Sequence, residues 1–367
     1  MDLRFLERLY RATGPVATVY LDTTRAGDDP ARRIEHRWRA LRARLADDGA
    51  DPGTLRALDA AAGGLPKVPG PQGEALFAAG GRLVAAYTLS RPPERDRAAW
   101  LPVADPVDLV CDLDDGVPYV VVAADGEGAD VYAYAADGAV VEEERHAGDA
   151  RRRSGDAAAG GRRYRHRDRA ERVWSASAGD VVRDVEAAVR RVRAAAVFVG
   201  GDERTLEALR ARLDAAAGAP VIEVGGRGEG NAVARLRASV EEGLRQTAAA
   251  LRGGVLAEFT EDLHRAERAV QGFADTTRAL RSGRVSRVLL APRGGAEPLL
   301  WASRTDPLEV AERRGRLTDP SEAFTAPAGA LLLRAAQATS AAFTRLPDPG
   351  EAADGVGAFL RFAAAPR

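Results

Sequence analysis

The chain has very little of several features that define common protein classes. It contains one cysteine, Cys111, so no disulfide can form within the chain, and a reducing compartment is indicated. No apolar run approaches the ~18 residues that a membrane-spanning helix needs. Residues 1–11 lack the apolar segment of a secretory signal. Aromatic residues make up only 5%, so the cores must be built from alanine, leucine and valine. We therefore expect a cytoplasmic protein.

The chain also lacks an excess of charge of either sign. Its 53 basic and 54 acidic residues give a formal net charge of -1, and Lys67 is the exception among basic residues that are otherwise arginine. A protein that binds nucleic acid through an overall basic surface is therefore not indicated, and any RNA-binding surface has to be local. We expect neither a DNA partner nor a membrane partner.

The order of helix and strand signals predicts an α/β protein with three domains. Residues 1–106 read as an N-terminal α/β domain that ends in a proline-rich stretch. Residues 107–228 begin with a three-strand meander and continue with alternating helices and strands, which predicts a central domain with a mixed sheet. Residues 229–367 begin with helical segments and continue as a C-terminal α/β domain.

Two expectations concern the connections inside the C-terminal domain. The segment Asn231–Arg252 reads as a helix, and Val255–Arg268 reads as its continuation or its partner. The strand Val285–Ala291 is expected to pair with Leu299–Ala302 across a turn at 293–295.

The central domain contains a long segment, residues 146–176, with almost nothing apolar to bury. Loops longer than about 12–15 residues are usually functional or disordered, and this one holds nine arginines between Arg151 and Arg172. Guanidinium forks bind phosphate, and both arginine and tyrosine stack on bases. Glycines allow the backbone to approach another surface closely. We predict an RNA-contacting loop, the alternative being a solvated linker. Its predicted contact residues are Arg151, Arg152, Arg153, Gly160, Gly161, Arg162, Arg163, Tyr164, Arg165, His166, Arg167 and Arg169.

These features resemble one known family. A Gly-Gly pair on a basic loop, after a meander and before a long helix, resembles the central domain of the archaeal and eukaryotic release factor and Pelota superfamily. The meander Tyr119–Tyr134 resembles the family's central sheet. The end of the chain, Asp354–Phe362, resembles the family's closing motif Gly-Gly-Ile-Ala-Ala-Ile-Leu-Arg-Tyr. The chain is similar to the bacterial branch, which includes the ribosome hibernation factor Balon and its mycobacterial relatives. The resemblance implies a ribonuclease-H-like central domain and a C-terminal α/β/α sandwich.

The sequence departs from this family at the catalytic position. In release factors the Gly-Gly pair is followed by a glutamine that positions the hydrolytic water, whereas Arg162 follows Gly161 here. No Gln or Asn occurs between His146 and Ala176. A guanidinium has no acceptor and cannot act as a base near neutral pH. We therefore expect no enzymatic activity, no catalytic residue, no cofactor and no metal.

The resemblance further implies a partner. Members of the branch that lack the glutamine are thought to occupy the ribosomal A site and to hold translation silent alongside elongation factor Tu. It therefore implies ribosomal RNA as the partner of the loop, and elongation factor Tu as a further partner. Two alternatives stay open at this point. One is a peptidyl-tRNA hydrolase that uses Arg162 or another loop residue, and the other is a stress-response adaptor with a non-ribosomal partner.

Three smaller groups of residues have ordinary interpretations. Asp112, Asp114 and Asp115 could bind a divalent cation, but a solvated turn before a strand is the expected role. Glu142–Glu144 lies next to the arginine-rich loop and is expected to form ion pairs with it, each contributing about 0–1 kcal/mol. Gly200–Asp202 lies between a strand and a helix, lacks the pattern of a phosphate-binding loop and is expected to be a tight turn.

Overall fold

The computed structural model describes residues 1–64, 70–125, 128–136, 140–147, 179–201, 203–216, 218–224, 232–265, 268–291 and 297–362. They form two compact units. One unit comprises Met1–Asp114 together with Arg252–Arg367, and the other comprises Asp115–Leu251. Both units mix helices and strands, so the predicted α/β class is confirmed. The boundaries of the three predicted domains stay a prediction.

The N-terminal half of the first unit is built on a four-stranded antiparallel sheet. Its elements are α1 (Glu7–Tyr10), β1 (Val16–Asp22), α2 (Pro30–Asp47), α3 (Pro52–Asp59), β2 (Gly73–Ala79), β3 (Arg82–Leu89), β4 (Arg97–Leu101) and α4 (Val107–Asp114). The strand order is β3-β2-β1-β4. Alternate residues of β1 serve two cores: Val19 and Leu21 pack under α2 and α3, and Tyr20 faces the opposite core. This division follows from the two-residue period of a strand.

Turn and capping residues set the ends of these elements as the sequence predicts. The Asp29 carboxylate accepts a hydrogen bond from the backbone N–H of Arg32 at 3.2 Å, one turn into α2, and Asp51 does the same for Thr54 at 2.9 Å. Such caps satisfy N–H groups that have no partner within the helix. The β2–β3 hairpin turns at Gly80 and Gly81, whose φ angles of 55° and 75° favour glycine.

The aspartates at the end of this half do not form the expected solvated turn. Asp112 and Asp114 lie in α4. Asp112 accepts hydrogen bonds from the Ser90 N–H at 2.9 Å and from its hydroxyl at 2.6 Å. Asp114 accepts one from the Arg345 N–H at 2.7 Å. For Asp112 and Asp114 the expectation was wrong because their carboxylates accept from backbone groups that are distant in the sequence, which local turn chemistry cannot reveal, whereas Asp115 does lie in a turn.

The C-terminal half of the first unit contains a four-stranded and a three-stranded sheet. Its elements are the second part of α7 (Ala232–His264), β10 (Ala269–Gln271), α8 (Gly272–Arg281), β11 (Val285–Leu290), β12 (Leu299–Ser303), β13 (Val310–Ala311), β14 (Ala323–Pro327), α9 (Ala328–Ala338), β15 (Ala342–Arg345) and β16 (Val356–Leu360). The strand orders are β10-β16-β11-β15 and β13-β12-β14. Phe259 of α7 packs with Leu289 on one face of the larger sheet, and Leu331 of α9 packs with Val288 on the other. The α/β/α sandwich is thereby confirmed.

The expected pairing of β11 with β12 is wrong. The strand β11 pairs in parallel with β15 and antiparallel with β16, whereas β12 pairs with β13 and β14 in the smaller sheet. The turn expected at 293–295 lies outside the described residues. The strands β15 and β16, which come later in the chain, flank β11 on both sides. Pairing with them buries β11 more completely than a hairpin with β12 would, so the local turn signal does not determine its partner.

One hydrophobic core joins the two halves of the first unit. Leu6 before α1, Phe77 of β2 and Val110 of α4 share it with Leu332 of α9 and Phe343 of β15. The Phe343 N–H also donates to the Met1 carbonyl at 2.9 Å. The hydrophobic effect, whose strength grows with the apolar area that is buried, holds the two halves together. Residues more than 200 positions apart in sequence therefore belong to one compact unit.

A buried carboxylate organises the smaller sheet. The Glu309 side chain, 9% exposed, accepts a hydrogen bond from the Arg281 guanidinium at 2.9 Å. The Thr318 backbone N–H donates to both of its carboxylate oxygens at 3.2 Å, and the Thr318 hydroxyl donates to it as well. The hydrogen bonds from Thr318, supported by Arg281, hold the pKa of Glu309 below its ordinary value. These contacts connect the two ends of residues 309–318 to α8.

Substituting Glu309 with Gln should lower the free energy of unfolding by about 2 kcal/mol at neutral pH, because hydrogen bonds to a charged group are lost. A carboxyl whose pKa is lowered by folding stabilises the fold above its unfolded pKa of about 4.3, and this contribution is lost as the pH falls through the folded pKa. Urea unfolding from pH 7 to pH 4 should therefore show the two proteins converging. Glu312→Gln, at an exposed neighbour, is the control. A difference that does not depend on pH would contradict this account.

The second unit contains one five-stranded mixed sheet. Its elements are β5 (Tyr119–Asp125), β6 (Gly128–Tyr134), β7 (Val140–Ala147), a helix α5 over 179–192, β8 (Ala196–Gly201), α6 (Glu203–Ala216), β9 (Val221–Val224) and the first part of α7. The strand order is β7-β6-β5-β8-β9. The meander β5-β6-β7 is antiparallel, and β8 and β9 continue the sheet in parallel. The mixed sheet predicted for the central domain is confirmed.

The helix α7 is one continuous element of 33 residues. It runs through Gly253 and Gly254, where the sequence allowed either a continuation or a separate partner helix. Both glycines are exposed, and packing of the segments before and after them keeps the helix intact despite the lower helix propensity of glycine.

Candidate RNA interface

All of the predicted RNA-contacting residues, from Arg151 to Arg169, lie in the segment 148–178, outside the described residues. The structure therefore describes only the two elements on either side of this segment. The description ends with β7 at Ala147 and resumes with α5 at 179.

The strand before the arginine-rich segment is an edge strand of the sheet in the described part of the chain. It pairs antiparallel with β6, with Glu144 opposite Val131 and Ala147 opposite Gly128. It ends at Ala147, the last described residue before the segment. The pairing register fixes where the backbone enters the segment, because each strand residue occupies one position of the ladder.

The helix after the segment is anchored to the same sheet. Val181, Val185 and Val189 of α5 are buried against it, at a spacing that puts one helix face on the core. The Arg191 guanidinium lies 2.8 Å from a carboxylate oxygen of Glu142 in β7, whose side chain is only 17% exposed. The two elements on either side of the arginine-rich segment are thus joined by an ion pair. Glu142 thus has a partner in α5, while the expected pairing of Glu142–Glu144 with the loop involves residues outside the described ranges and stays a prediction.

An aromatic group on the other face of the sheet was missed by the sequence analysis. The rings of Tyr119 and Tyr134 stack with centroids 4.5 Å apart, and Phe198 meets Tyr119 edge-on at 5.9 Å. Val240 and Leu244 of α7 pack against this group. The signal was available, because Tyr119 and Tyr134 lie opposite each other in the meander register. Phe198 is buried, and Tyr119 and Tyr134 are half-buried beside it under α7, so we interpret the group as core packing and not as a platform for bases.

The turn expected at Gly200–Asp202 has a packing role. Gly200 and Gly201 end β8, and α6 begins at Glu203. A Cβ atom on Gly201 would collide with the carbonyl oxygen of Ala124 in β5. The glycine is therefore needed for the close approach of two strands, which agrees with a tight connection and not with a phosphate-binding loop.

The first unit contains a cluster with shifted pKa values, which is the usual mark of a candidate catalytic site. Arg97 of β4 lies 3.1 Å from Asp105 and 3.1 Å from Asp108, and its guanidinium stacks on the Tyr20 ring at 5.0 Å. The Tyr20 hydroxyl donates to the Asp105 carbonyl at 2.9 Å and accepts from the Leu109 N–H at 3.3 Å. Four elements of the fold are connected through these groups.

The shifts have structural causes. Burial, followed by the nearby carboxylates of Asp108 and Asp105, raises the pKa of Tyr20 well above its ordinary value. Partial burial, followed by the neighbouring Asp105, raises the pKa of Asp108 although Arg97 opposes it. Desolvation by itself would lower the pKa of Arg97, but the two carboxylates outweigh it, and the pKa is raised. Each polar group of the cluster contacts another one, so the role of the cluster is to stabilise the fold.

Substituting Asp105 with Asn should lower the free energy of unfolding by about 2 kcal/mol, because the Arg97 guanidinium loses a buried charged acceptor. The backbone hydrogen bond from Tyr20 is kept in this variant. The matched control is Asp108→Asn, at a carboxylate that is 42% exposed and should contribute less. Chemical denaturation followed by circular dichroism measures both, and an equal loss in the two variants would contradict the central place of Asp105.

Two other kinds of feature are absent from the described residues. In the ranges that the structure describes, no group of three or more His, Cys, Asp or Glu side chains could hold a metal ion. The same ranges contain no helix with both the length and the apolar character needed to cross a membrane. Cys111 is buried in the core of the first unit.

The fold and the arginine-rich segment agree with a family match. The profile of the family described as bacterial archaeo-eukaryotic release factor family 2 matches residues 118–265. Two curated sequences, the uncharacterized proteins Rv2629 and MT2704 of Mycobacterium tuberculosis strains H37Rv and CDC 1551, are each 30% identical over 379 residues, covering 99% of this chain and 97% of theirs. The chain belongs to this bacterial branch of the release factor and Pelota superfamily.

Matches among solved structures come from archaea and yeast. The archaeal translation termination factor aRF1 is 16% identical with a TM-score of 0.23, covering 99% of both chains. A ribosome-bound archaeal Pelota is 13% identical with a TM-score of 0.41, covering 99% of this chain and 95% of its own. The Saccharomyces cerevisiae factor Dom34 is 9% identical with a TM-score of 0.39, covering 79% and 80%.

Proposed function

We propose that the protein is a release-factor-like translation factor that binds the ribosome and silences it without hydrolysing peptidyl-tRNA. The observation that carries the proposal is the family match over residues 118–265, which includes the arginine-rich segment. Within that segment Arg162 follows Gly160 and Gly161, where release factors of the superfamily have glutamine. This role would place the protein in the cytoplasm.

The chemistry of the substituted position supports occupancy over catalysis. A glutamine amide both donates and accepts hydrogen bonds, so it can orient a water molecule for attack on an ester. A guanidinium only donates and stays protonated near neutral pH. Arg162 can therefore hold a phosphate or a carbonyl oxygen, but it cannot take a proton from water. We infer that the segment binds ribosomal RNA and leaves the ester bond of peptidyl-tRNA intact.

The placement of charge supports RNA as the partner. Nine arginines between Arg151 and Arg172 stand in a chain whose net charge is -1. The elements on either side belong to one sheet-based unit, because β7 is a strand of the sheet and α5 packs on it through buried valines. A basic segment that leaves and re-enters one rigid unit has less conformational freedom to lose on binding than a free tail of the same composition. Within the ribosome, we propose the A site as its location and elongation factor Tu as a second partner.

Sedimentation with purified bacterial ribosomes through a sucrose cushion tests the binding part of the proposal. The protein should pellet with vacant ribosomes, and the pelleted fraction should fall steeply as salt is raised. A pre-bound aminoacyl-tRNA in the A site should prevent pelleting, because both ligands need the same space. Absence from the pellet at low salt would contradict the ribosomal role and favour an adaptor with another partner.

Peptide release from programmed ribosomes tests the catalytic part. The protein should release no more formyl-methionine than a buffer control, while an authentic bacterial release factor on its stop codon serves as the positive control. Release above background that disappears in an Arg162→Ala variant would contradict the proposal and establish a hydrolase that uses the loop. The two assays are independent, so the proposed ribosome binding and the proposed lack of hydrolysis can each be contradicted separately.

A further inference from the structure

A cavity of about 290 Å³ lies between α1 and the β2–β3 hairpin, in the N-terminal half of the first unit. Its lining combines three arginines and one threonine with small and aliphatic residues. Its lining residues are Arg8, Arg11, Ala12, Thr13, Ala79, Gly80, Arg82, Leu83 and Val84. We call this cavity the arginine pocket. Neither the family match over residues 118–265 nor the arginine-rich segment includes any part of it.

The arginines of the pocket are only partly neutralised. Arg11 pairs with Glu7 at 2.5 Å. Arg8 stacks on the Tyr87 ring at 4.9 Å and donates to the Tyr87 hydroxyl at 3.1 Å, contacts that orient its guanidinium without cancelling its charge. Arg82 follows the glycine turn and has no ion pair among the described residues. Like charges around one cavity repel each other, so an anion that enters the pocket relieves this repulsion.

The volume of the pocket and the residues of its lining indicate what kind of anion fits. The volume is at the lower end of the roughly 300–1,000 Å³ range of small-molecule sites, so the ligand is small. Two guanidiniums without a carboxylate partner, those of Arg8 and Arg82, can bind the oxygens of a phosphate bidentately, and this chemistry is shared by a monoester and a backbone diester. Leu83 is 41% exposed although it is a large aliphatic residue. With Val84 it offers an apolar surface against which a sugar or a base can pack.

We propose that the arginine pocket binds the phosphate group of a nucleotide. Arg8 and Arg82 hold the phosphate oxygens, the Thr13 hydroxyl donates a further hydrogen bond, and Leu83 packs against the nucleoside. The phosphate can belong to a free mononucleotide or to the backbone of a single-stranded RNA. The proposal does not depend on ribosome binding, because the pocket is complete within the first unit.

Isothermal titration calorimetry of the full-length chain at low salt tests this site with four probes: AMP, adenosine, inorganic phosphate and hexauridylate. AMP should bind and adenosine should not, because the phosphate supplies most of the interaction. Binding of adenosine as tightly as AMP overturns the proposal. Hexauridylate binding that depends on Arg82 while AMP fails to bind supports the site with backbone phosphate as its source. Failure of AMP, phosphate and hexauridylate to show any Arg82-dependent binding overturns it.

The variants are chosen so that folding is not at risk. Arg82→Ala removes an exposed side chain and should weaken AMP binding about tenfold, the effect of one charge-assisted contact. Leu83→Glu adds a negative charge to the pocket at another exposed position and should abolish detectable binding. The control is Arg39→Ala on the exposed face of α2, whose partner is Glu35 at 2.8 Å. Equal weakening by Arg39→Ala and Arg82→Ala would mean that overall charge, and not the pocket, attracts the anion.

Discussion

Reversing the charge of Arg162, Arg163 and Arg165 to glutamate should weaken ribosome binding by about 100-fold or more at low salt. Each arginine–phosphate contact contributes about 1 kcal/mol or more to binding, and each introduced glutamate adds repulsion from the same phosphates. The three positions surround Tyr164 in the most arginine-dense part of the segment. Microscale thermophoresis with labelled protein and vacant ribosomes measures the dissociation constant of both proteins.

The salt dependence gives a second, sharper expectation for the same variant. Binding to nucleic acid releases condensed counterions, so the logarithm of the binding constant falls linearly with the logarithm of salt concentration. Each phosphate contact contributes about one unit to this slope. The triple variant should therefore show a slope about three units shallower than the wild type. A weaker affinity with an unchanged slope would mean that the substitutions disturb folding and not the RNA contacts.

A matched control separates the segment from the overall charge of the protein. Arg32, Arg39 and Arg44 are exposed along α2, and changing all three to glutamate alters the net charge by the same amount. This variant should keep most of the affinity. If both triple variants lose affinity equally, long-range attraction between the protein and the ribosome explains the result. If neither loses affinity, the segment is a solvated linker and the proposed contact between the segment and ribosomal RNA is wrong.

The sequence predicted those parts of the fold that are determined by residues close together in the sequence. Local sequence signals account for the strand β1, the helices α6 and α9, and the hairpin at Gly80 and Gly81. In each case the residues themselves carry the signal, such as a helical repeat of apolar positions or a glycine with positive φ. The same holds for the meander, whose register later brings Tyr119 against Tyr134.

The parts that could not be predicted depend on partners distant in the sequence. The strand β11 takes β15 and β16 as its neighbours because burial on both sides outweighs a nearby turn. The short strand β4 and the short helix α4 are stabilised by the core and by the Arg97–Asp105 pair. No local sequence pattern predicts this pair. The candidate RNA interface shows the opposite case. Its composition was visible in the sequence, whereas the Glu142–Arg191 pair beside it needed the structure.

The closing motif of the chain acquires a physical explanation from the fold. Its residues Val356–Leu360 form β16, a central strand of the larger sheet, and all five are buried. Gly357 faces Phe259 of α7, a fully buried ring that meets Phe359 edge-on with centroids 5.6 Å apart. A Cβ atom on Gly357 would lie 2.9 Å from Cε2 of Phe259 and closer still to Cζ. Gly357, which stands where the family motif has alanine, is therefore required in this chain because it leaves room for an aromatic ring.

Substituting Gly357 with Ala should lower the free energy of unfolding by about 3 kcal/mol, since one added methyl group forces a ring to move inside a filled core. The neighbours of Phe259, which include Leu289 and Leu346, are themselves fully buried and leave it no space. Thermal and urea unfolding of the purified protein measure the loss.

The matched control is the same substitution at Gly254 of α7, where a Cβ atom would meet nothing within 4 Å. Alanine has a higher helix propensity than glycine, so Gly254→Ala should stabilise the protein by about 0.5–1 kcal/mol. Identical chemistry should thus give opposite signs at two glycines that the sequence alone does not distinguish. Combining Gly357→Ala with Phe259→Leu, which shortens the opposing side chain, should cost less than the sum of the two single changes. Strict additivity would show that the ring is not the obstacle, and the requirement for glycine would then have to come from the backbone of β16 itself.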